Sequence, residues 1–231
     1  MLEIRNINSY YGRSQVIHQL SFSAEDKSIV AIIGRNGVGK TTLLKTILGL
    51  TDRSEGAILL DGDDIASQDT FARARAGIAY VPQGRHIIPD FTIRDNIVMG
   101  GFAARSGQRR IPEIVPELFP YLMENLDRPG GVLSGGQQQQ LAIARALAAE
   151  PKILLMDEPT EGIQPNIVEQ IEACILRLNT ELALTILLVE QNVGFARRAA
   201  HAFAMMENGR AVASGPIGDL TDDLVSRHMA I

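Results

Sequence analysis

The residues whose types and spacing most clearly suggest chemistry form a glycine-rich stretch at positions 34–41. It fits the pattern G-x-x-x-x-G-K-[ST] without exception. Glycines let the backbone bend so that successive N–H groups point at phosphate oxygens, and a following helix adds partial positive charge. Lys40 is predicted to bind β- and γ-phosphates, and Thr41 to offer a hydroxyl to Mg²⁺. The predicted phosphate-binding residues are Gly34, Arg35, Asn36, Gly37, Val38, Gly39, Lys40, Thr41 and Thr42.

Two carboxylates form a second candidate group. Asp157 and Glu158 directly follow the apolar run 153–156. At the end of a strand beside the phosphate loop, Asp157 is expected to reach the magnesium ion. Glu158 points elsewhere and is predicted to hold the attacking water as general base. Considered alone, the pair could also be acidic residues that simply end a strand.

Three weaker signals each have an ordinary structural alternative. Gln83 follows the run 78–81 and could sense a metal and a γ-phosphate, or be a loop glutamine. Tyr11 could stack on an adenine ring, or only pack. The run Leu133-Ser134-Gly135-Gly136-Gln137 precedes a helical pattern, with Ser134 as a plausible N-cap. Because one phosphate loop is already complete, a second helix start with free N–H groups suggests a nucleotide held between two subunits. The alternative for that run is a loop and a capped helix.

Short apolar runs that alternate with helical patterns are the elements expected to position these residues. The runs 28–33, 78–81, 153–156, 185–189 and 202–206 predict a mostly parallel sheet within an α/β fold. Residues 1–30 and 57–60 predict an N-terminal antiparallel β-layer, and 209–214 a last edge strand. Apolar residues at helical spacing in 113–126 predict a small helical insertion.

Composition limits the class of protein. The chain has 231 residues, 45% of them hydrophobic and 21% charged, which is ordinary for a globular domain with its own core. Its net charge of −5 disfavours a nucleic-acid binder. One cysteine, Cys174, excludes an intramolecular disulfide framework. We also expect no membrane-spanning helix and no signal peptide at the N-terminus.

In this order, the phosphate loop, Gln83, the 133–137 segment and the Asp157-Glu158 strand end resemble the nucleotide-binding subunit of ATP-binding cassette (ABC) transporters. The Leu-Ser-Gly-Gly-Gln run is highly specific for them, and the resemblance covers essentially the whole chain. It implies a P-loop NTPase core with an antiparallel β-layer and a helical subdomain. The expected organisation is one ABC ATPase domain over 1–231, with the helical subdomain inserted at about 85–150.

The same resemblance implies roles for the weaker signals. Tyr11 matches the aromatic residue that stacks on adenine, with Val16 as its apolar neighbour. Gln83 matches the glutamine that contacts the metal and couples the active site to a membrane partner. The ATP is then expected to lie between the phosphate loop of one chain and the 133–137 segment of another. The residues of that segment implied to bind ATP are Ser134, Gly135, Gly136 and Gln137.

The resemblance also implies partners and a location. These are transmembrane permease subunits, a second cassette in a homo- or heterodimer, and indirectly a periplasmic or extracellular solute-binding protein. The chain would lie peripherally at the cytoplasmic face of the inner (plasma) membrane. The segment 85–132 is the expected docking surface for the permease, with Phe91, Ile93 and Ile97 either on it or in the core.

Within the family, the chain is most similar to importers of branched-chain amino acids and, more closely, of urea or short amides. The four glutamines at 137–140 and the run 161–165 resemble the urea-type second ATPase subunit. Gln164 stands where many relatives have an aspartate. Gln191 stands where many have a histidine that contacts the γ-phosphate. We expect Gln191 to belong to the catalytic residues with Glu158 and Lys40, as a hydrogen-bond donor that cannot act as an acid.

The predicted function is therefore hydrolysis of ATP, with Mg²⁺ as cofactor, to energise uptake of such a solute. The alternative from another class is a soluble ABC ATPase that acts on a nucleic-acid or ribosomal partner. A non-hydrolysing member of an asymmetric pair is a third interpretation, supported only by Gln191.

Overall fold

A computed structural model describes residues 1–229 of the chain. Within them, ten strands and nine α-helices alternate. The strands are β1 Leu2–Tyr11, β2 Ser14–Ala24, β3 Ile29–Ile33, β4 Arg53–Leu60, β5 Asp63–Asp64, β6 Ile78–Val81, β7 Ile153–Asp157, β8 Thr185–Glu190, β9 Ala202–Glu207 and β10 Arg210–Pro216. The helices are α1 Lys40–Leu48, α2 Thr70–Ala76, α3 Ile93–Gly100, α4 Val115–Leu118, α5 Pro120–Glu124, α6 Gly135–Leu147, α7 Pro165–Leu182, α8 Val193–Ala199 and α9 Asp222–Met229.

The central sheet has the order β10-β9-β3-β8-β7-β6. All its pairings are parallel except that of β10, which forms an antiparallel edge hairpin with β9. Every residue of β3, β7 and β8 is buried, as the continuous apolar runs predicted. In a parallel sheet the carboxyl ends of the strands lie at one edge, so the loops after β3, β6, β7 and β8 meet there. The predicted α/β class and all five core strands are confirmed.

The N-terminal layer is the second sheet, with the antiparallel order β2-β1-β4-β5. Leu2, Ile4 and Ile7 are buried in it. They share a hydrophobic cluster with Leu43 and Ile47 of α1. Helix α1 is thus packed between the two sheets, and the phosphate loop that precedes it is anchored from both sides.

The helical segment between β6 and β7 shares its hydrophobic core with the central sheet. Ile93 and Ile97 of α3 are fully buried and belong to the cluster that contains Val81 and Met156. The suggestion that Ile93 and Ile97 contribute to an exposed docking surface is therefore wrong. Phe91, just before the Thr92 N-cap, is 41% exposed.

The helical pattern at 113–126 forms two short helices rather than one. Phe119 lies between α4 and α5 with φ −135° and ψ 62°, because Pro120 disfavours a helical conformation in the residue before it. The spacing still identified the inward face, since Val115, Phe119 and Leu122 are buried. No helix within residues 1–229 is both long and apolar enough to cross a bilayer.

Candidate functional site

The glycine-rich stretch connects β3 to α1 and needs its glycines for two reasons. Gly37 and Gly39 have φ of 80° and 106°, in the left-handed region that residues with a Cβ rarely adopt. At Gly34 the reason is close packing, since a Cβ there would lie 2.6 Å from the carbonyl oxygen of Met206. Helix α1 begins at Lys40, so its free N–H groups face the loop. The arrangement is the strand, anion-binding loop and helix that the pattern predicted.

Lys40 is almost completely buried at the start of α1. Its Nζ donates to the carbonyl oxygens of Gly34, at 2.8 Å, and Arg35, at 2.9 Å. Nζ also lies 3.1 Å from Oε1 of Glu158. These three acceptors match the three donors of an ammonium group. A phosphate bound in the loop would have to compete with these acceptors for the same donors.

Asp157 ends β7 and is fully buried. Thr41 Oγ1 donates to its Oδ1 at 3.1 Å, and the hydroxyl of Tyr80 donates to its Oδ2 at 3.0 Å. Burial raises the pKa of Asp157 above the ordinary value, while these two hydrogen bonds act in the opposite direction. The Thr41 hydroxyl and the Asp157 carboxylate are hard oxygen donors side by side. They fit Mg²⁺, which takes one or two protein ligands and completes its shell with water and phosphate.

Tyr80 was not predicted from the sequence to belong to the site. The signal available was a hydroxyl within the otherwise apolar strand Ile78–Val81. In the sheet Tyr80 is aligned with Leu155, so its side chain shares a face with Asp157 two residues further on. Burial, followed by the charge of Asp157, raises the pKa of the Tyr80 hydroxyl, which therefore stays a proton donor.

Glu158 lies one residue beyond β7 with a positive φ of 46°. Its backbone N–H donates to the carbonyl oxygen of Val189 at 2.9 Å. The Glu158 carboxylate contacts Lys40, whereas the carboxylate of the preceding Asp157 contacts Thr41. Gln191 Nε2 donates to Oε2 of Glu158 at 2.7 Å. The structure thus places Lys40, Glu158 and Gln191, the three predicted catalytic residues, in one connected group with Glu158 at its centre.

Glu190 is a second residue that the sequence did not single out. It ends β8, is 3% exposed, and accepts a hydrogen bond from Thr160 Oγ1 at 2.8 Å. Burial raises its pKa, and hydrogen bonds from Thr160 and from the Gln191 and Asn192 amides act against this effect. An acid at the end of the apolar run 185–189 was the available signal.

Gln83 and Tyr11 lie at the exposed rim. The Gln83 amide nitrogen donates to Oε2 of Glu161 at 2.6 Å, so the described contact of Gln83 is with the loop after β7 and not with Thr41 or Asp157. Tyr11 ends β1 and is 37% exposed. Val16 lies beside the phosphate loop, since a Cβ on Gly39 would be 3.5 Å from its Cγ1.

The remaining residues of the predicted phosphate-binding set lie on the loop and the first turn of α1. Arg35 and Asn36 are exposed, and Val38 and Thr42 are partly buried.

The 133–137 segment forms the start of α6. Ser134 Oγ accepts from the Gln137 N–H, and Gln137 Oε1 accepts from the Ser134 N–H, which together make a capping box. A Cβ on Gly135 would lie 3.1 Å from the Arg85 guanidinium. A Cβ on Gly136 would lie 2.6 Å from a methyl of Ile167. These described contacts join the segment to the Gln83 loop and to α7, and not to the phosphate loop of the same chain.

A buried strand, a glycine loop with a lysine at the helix start, and an Asp-Glu strand end beside it define a nucleotide-binding P-loop ATPase. Residues 17–161 match the family described as ABC transporter, and the chain belongs to that family. It is an ATPase domain of that family, as the resemblance of its motifs predicted.

Two relatives show how far the similarity extends. The high-affinity branched-chain amino acid transport ATP-binding protein BraG of Pseudomonas aeruginosa is 39% identical over 92% of this chain and 91% of its own length. The probable branched-chain amino acid transport ATP-binding protein LivF of Archaeoglobus fulgidus is 34% identical over 96% of this chain and 94% of its own.

The fold agrees with a solved ATP-binding cassette of an ABC transporter in its ADP conformation. The two superpose with a TM-score of 0.82 at 27% identity, over 98% of this chain and 97% of the other.

Proposed function

We propose that this chain hydrolyses Mg·ATP as the cassette of an importer for branched-chain amino acids. The observation that carries the proposal is the contact of Glu158 with Lys40, because it brings the only predicted base to the residue predicted to bind the γ-phosphate. The activity needs both groups within reach of one water and one phosphorus atom.

The residue roles follow from the contacts. Lys40 exchanges its bonds to Gly34, Arg35 and Glu158 for the β- and γ-phosphate oxygens, and this exchange releases one oxygen of Glu158. The freed Glu158 oxygen accepts a proton from water, whose oxygen attacks the γ-phosphorus while ADP leaves. Thr41 and Asp157 would hold Mg²⁺, which supplies positive charge to the phosphate oxygens as negative charge shifts to ADP.

Gln191 holds the other oxygen of Glu158 through its side-chain amide. An amide carries no proton to lose at neutral pH, so Gln191 orients the base and donates hydrogen bonds without acting as an acid. This role agrees with an intact Glu158 and disfavours a non-hydrolysing cassette.

We further propose that two cassettes enclose each ATP, with the 133–137 segment of one facing the phosphate loop of the other. The free N–H groups at the start of α6 support this arrangement, since their described neighbours in the same chain are Arg85 and Ile167 and not the phosphate loop. A solved cassette with the same fold is described as dimeric. Val16 lies beside the phosphate loop, and Tyr11, at the exposed end of β1, is the residue proposed to stack on the adenine.

The rest of the assembly is also a proposal. Residues 1–231 would act as one unit, with the segment 85–150 as the arm that meets permease subunits at the cytoplasmic face of the membrane. The continuous core shared by α3 and the central sheet supports a single unit. The solute-binding protein would act outside the cell membrane and would choose the solute.

Branched-chain amino acids are the favoured solute because BraG and LivF are both named for their transport. Urea and short amides are the alternative, supported by the resemblance of 137–140 and 161–165 to the urea-type subunit. Both classes predict the same chemistry for the cassette.

Steady-state ATP hydrolysis of three variants tests the cassette chemistry. Glu158→Gln should keep ATP affinity and lose turnover by about a hundredfold or more, and should accumulate an ATP-dependent dimer. Lys40→Ala should lose ATP binding. Glu25→Gln makes the same charge change at an exposed position and should match the wild type. Wild-type turnover in Glu158→Gln would refute the assignment of the base.

Purification of the chain with its associated subunits tests the solute. A solute-binding protein encoded or purified with them should bind leucine and not urea, measured by isothermal titration. Binding of urea alone would replace the proposed solute by the alternative, and binding of RNA that weakens with salt would point to the other functional class.

A further inference from the structure

The carboxylate of Glu190 joins two loops that are thirty residues apart in sequence. One oxygen accepts from Thr160 Oγ1 at 2.8 Å and from the Thr160 N–H at 3.4 Å. The other accepts from the N–H of Gln191 at 3.3 Å and of Asn192 at 3.5 Å. The first loop, residues 158–164, begins with the proposed base, and the second carries Gln191.

Burying a carboxylate only to connect two loops would be energetically unfavourable. Its ionised form loses most of its hydration, and its described contacts are a hydroxyl and backbone N–H groups rather than a cation. A neutral side chain could end β8 at lower cost. The acceptor capacity of a carboxylate suits a residue that must hold donors from two loops at once.

These contacts form a closed ring. Glu158 accepts from the side chain of Gln191, the Gln191 backbone donates to Glu190, Glu190 accepts from Thr160, and Thr160 follows Glu158 by two residues. Because the ring is closed, a displacement of Thr160 must move the Gln191 turn or break one of the bonds. Glu190 is thus connected to the Gln191–Glu158 contact through the Gln191 backbone, although Glu190 makes no described side-chain contact with Glu158.

We propose that Glu190 is a positioning residue that couples the 158–164 loop to Gln191 and thereby sets the Gln191–Glu158 contact. The proposal rests on the ATPase function proposed above. It assigns Glu190 and Thr160 a task in turnover rather than in phosphate binding, since neither has a described contact with the phosphate loop.

The test changes one loop and measures the other. Thr160→Val removes the hydroxyl at constant shape, whereas Thr160→Ser keeps it. Hydrogen–deuterium exchange of the amides in 190–193 should accelerate about fivefold in Thr160→Val, the effect of losing one hydrogen bond, and stay near wild type in Thr160→Ser. Thr180→Val, the same change on the exposed face of α7, should leave these amides unaffected.

Kinetics supply the second measurement. In Thr160→Val the kcat for ATP should fall about fivefold while KM stays within about twofold, because Lys40 and Thr41 are untouched. Thr160→Ser should restore kcat. Glu190→Gln should also lower kcat, since one amide oxygen can accept hydrogen bonds from only one of the two loops. Circular dichroism must first show that the Glu190→Gln chain is folded.

The outcomes separate this inference from the proposed function. If the wild type hydrolyses no ATP, the proposed function fails, and unchanged exchange at 190–193 in Thr160→Val would then refute the coupling by itself. If the wild type is active, either an effect confined to 158–164 or an unchanged kcat in Thr160→Val overturns the inference.

Discussion

Gln191 Nε2 donates a 2.7 Å hydrogen bond to one oxygen of Glu158, while Lys40 Nζ lies 3.1 Å from the other. Both oxygens of the proposed base are therefore held by groups of the same chain, one neutral and one cationic. In the proposed mechanism, the hydrogen bond from Gln191 remains when Lys40 moves to the phosphate. Gln191 stands where many relatives have a histidine. In the structure its side-chain amide contacts Glu158.

Replacement of Gln191 tests this contact. Gln191→Ala should lower kcat about tenfold with little change in KM, because Glu158 loses the bond that orients it. Gln191→Glu should lower it further, since two carboxylates would face each other. Steady-state ATP hydrolysis decides, and a Gln191→Ala variant as active as the wild type would leave Gln191 without the proposed task.

Removal of the Tyr80 hydroxyl tests how Asp157 is held. Tyr80→Phe keeps the ring and removes the bond to Oδ2, so the Mg²⁺ concentration at half-saturation should rise about tenfold. Affinity for ATP in EDTA, measured with a fluorescent analogue, should not change. Tyr121→Phe removes a hydroxyl that bonds Arg128 in the helical segment and serves as the control. Equal Mg²⁺ dependence in Tyr80→Phe and the wild type would contradict the expectation.

The pH dependence of stability tests the burial of Asp157. Its folded-state pKa is raised above 3.8, so the folded chain holds the proton more tightly and ionisation costs stability. This cost is absent below the unfolded pKa, grows as pH rises to the folded pKa, and is constant above it. Over that window the free energy of unfolding of the wild type should fall relative to Asp157→Asn. The fall is about 1.4 kcal/mol for every tenfold by which folding strengthens proton binding at Asp157.

Urea unfolding of both proteins from about pH 4 to about pH 8 measures the difference. Only its pH slope is used, because the substitution also changes the hydrogen bonds with Thr41 and Tyr80. A difference that rises with pH would mean that the Asp157 pKa is lowered rather than raised.

Arg73 tests a stabilising contact behind the site. It is 2% exposed, and its guanidinium donates to the carbonyl oxygens of Thr46 and Ile47 at the end of α1 and of Ala66 and Gln68. Arg73→Met keeps the apolar stem and leaves these oxygens without that donor. The free energy of unfolding should fall by about 3 kcal/mol.

Arg75→Met is the matched control, because Arg75 is exposed on the same helix and contacts the ring of Phe71 at 5.9 Å. Denaturant unfolding should show a change within about 0.5 kcal/mol for it. A similar loss in both variants would mean that the helix, and not the buried guanidinium, determines the effect.

Local features of this protein were readable from its sequence. The phosphate loop depends on backbone freedom at neighbouring glycines and on a lysine at the following helix start, and both are properties of consecutive residues. The buried strands and the capped start of α6 were predictable for the same reason. The break at Phe119 was also local, since Pro120 dictates it, although helical spacing alone did not reveal it.

Which side chains meet depends on the three-dimensional packing. Tyr80 reaches Asp157 because β6 and β7 pair with Tyr80 opposite Leu155, and a shift by one residue would turn it to the other face. Gln191 reaches Glu158 because β7 and β8 pair with Asp157 opposite Val189. Gln83 bonds Glu161 through the position of two loops. Register and loop position result from packing over the whole core, so no pattern of neighbouring residues encodes them.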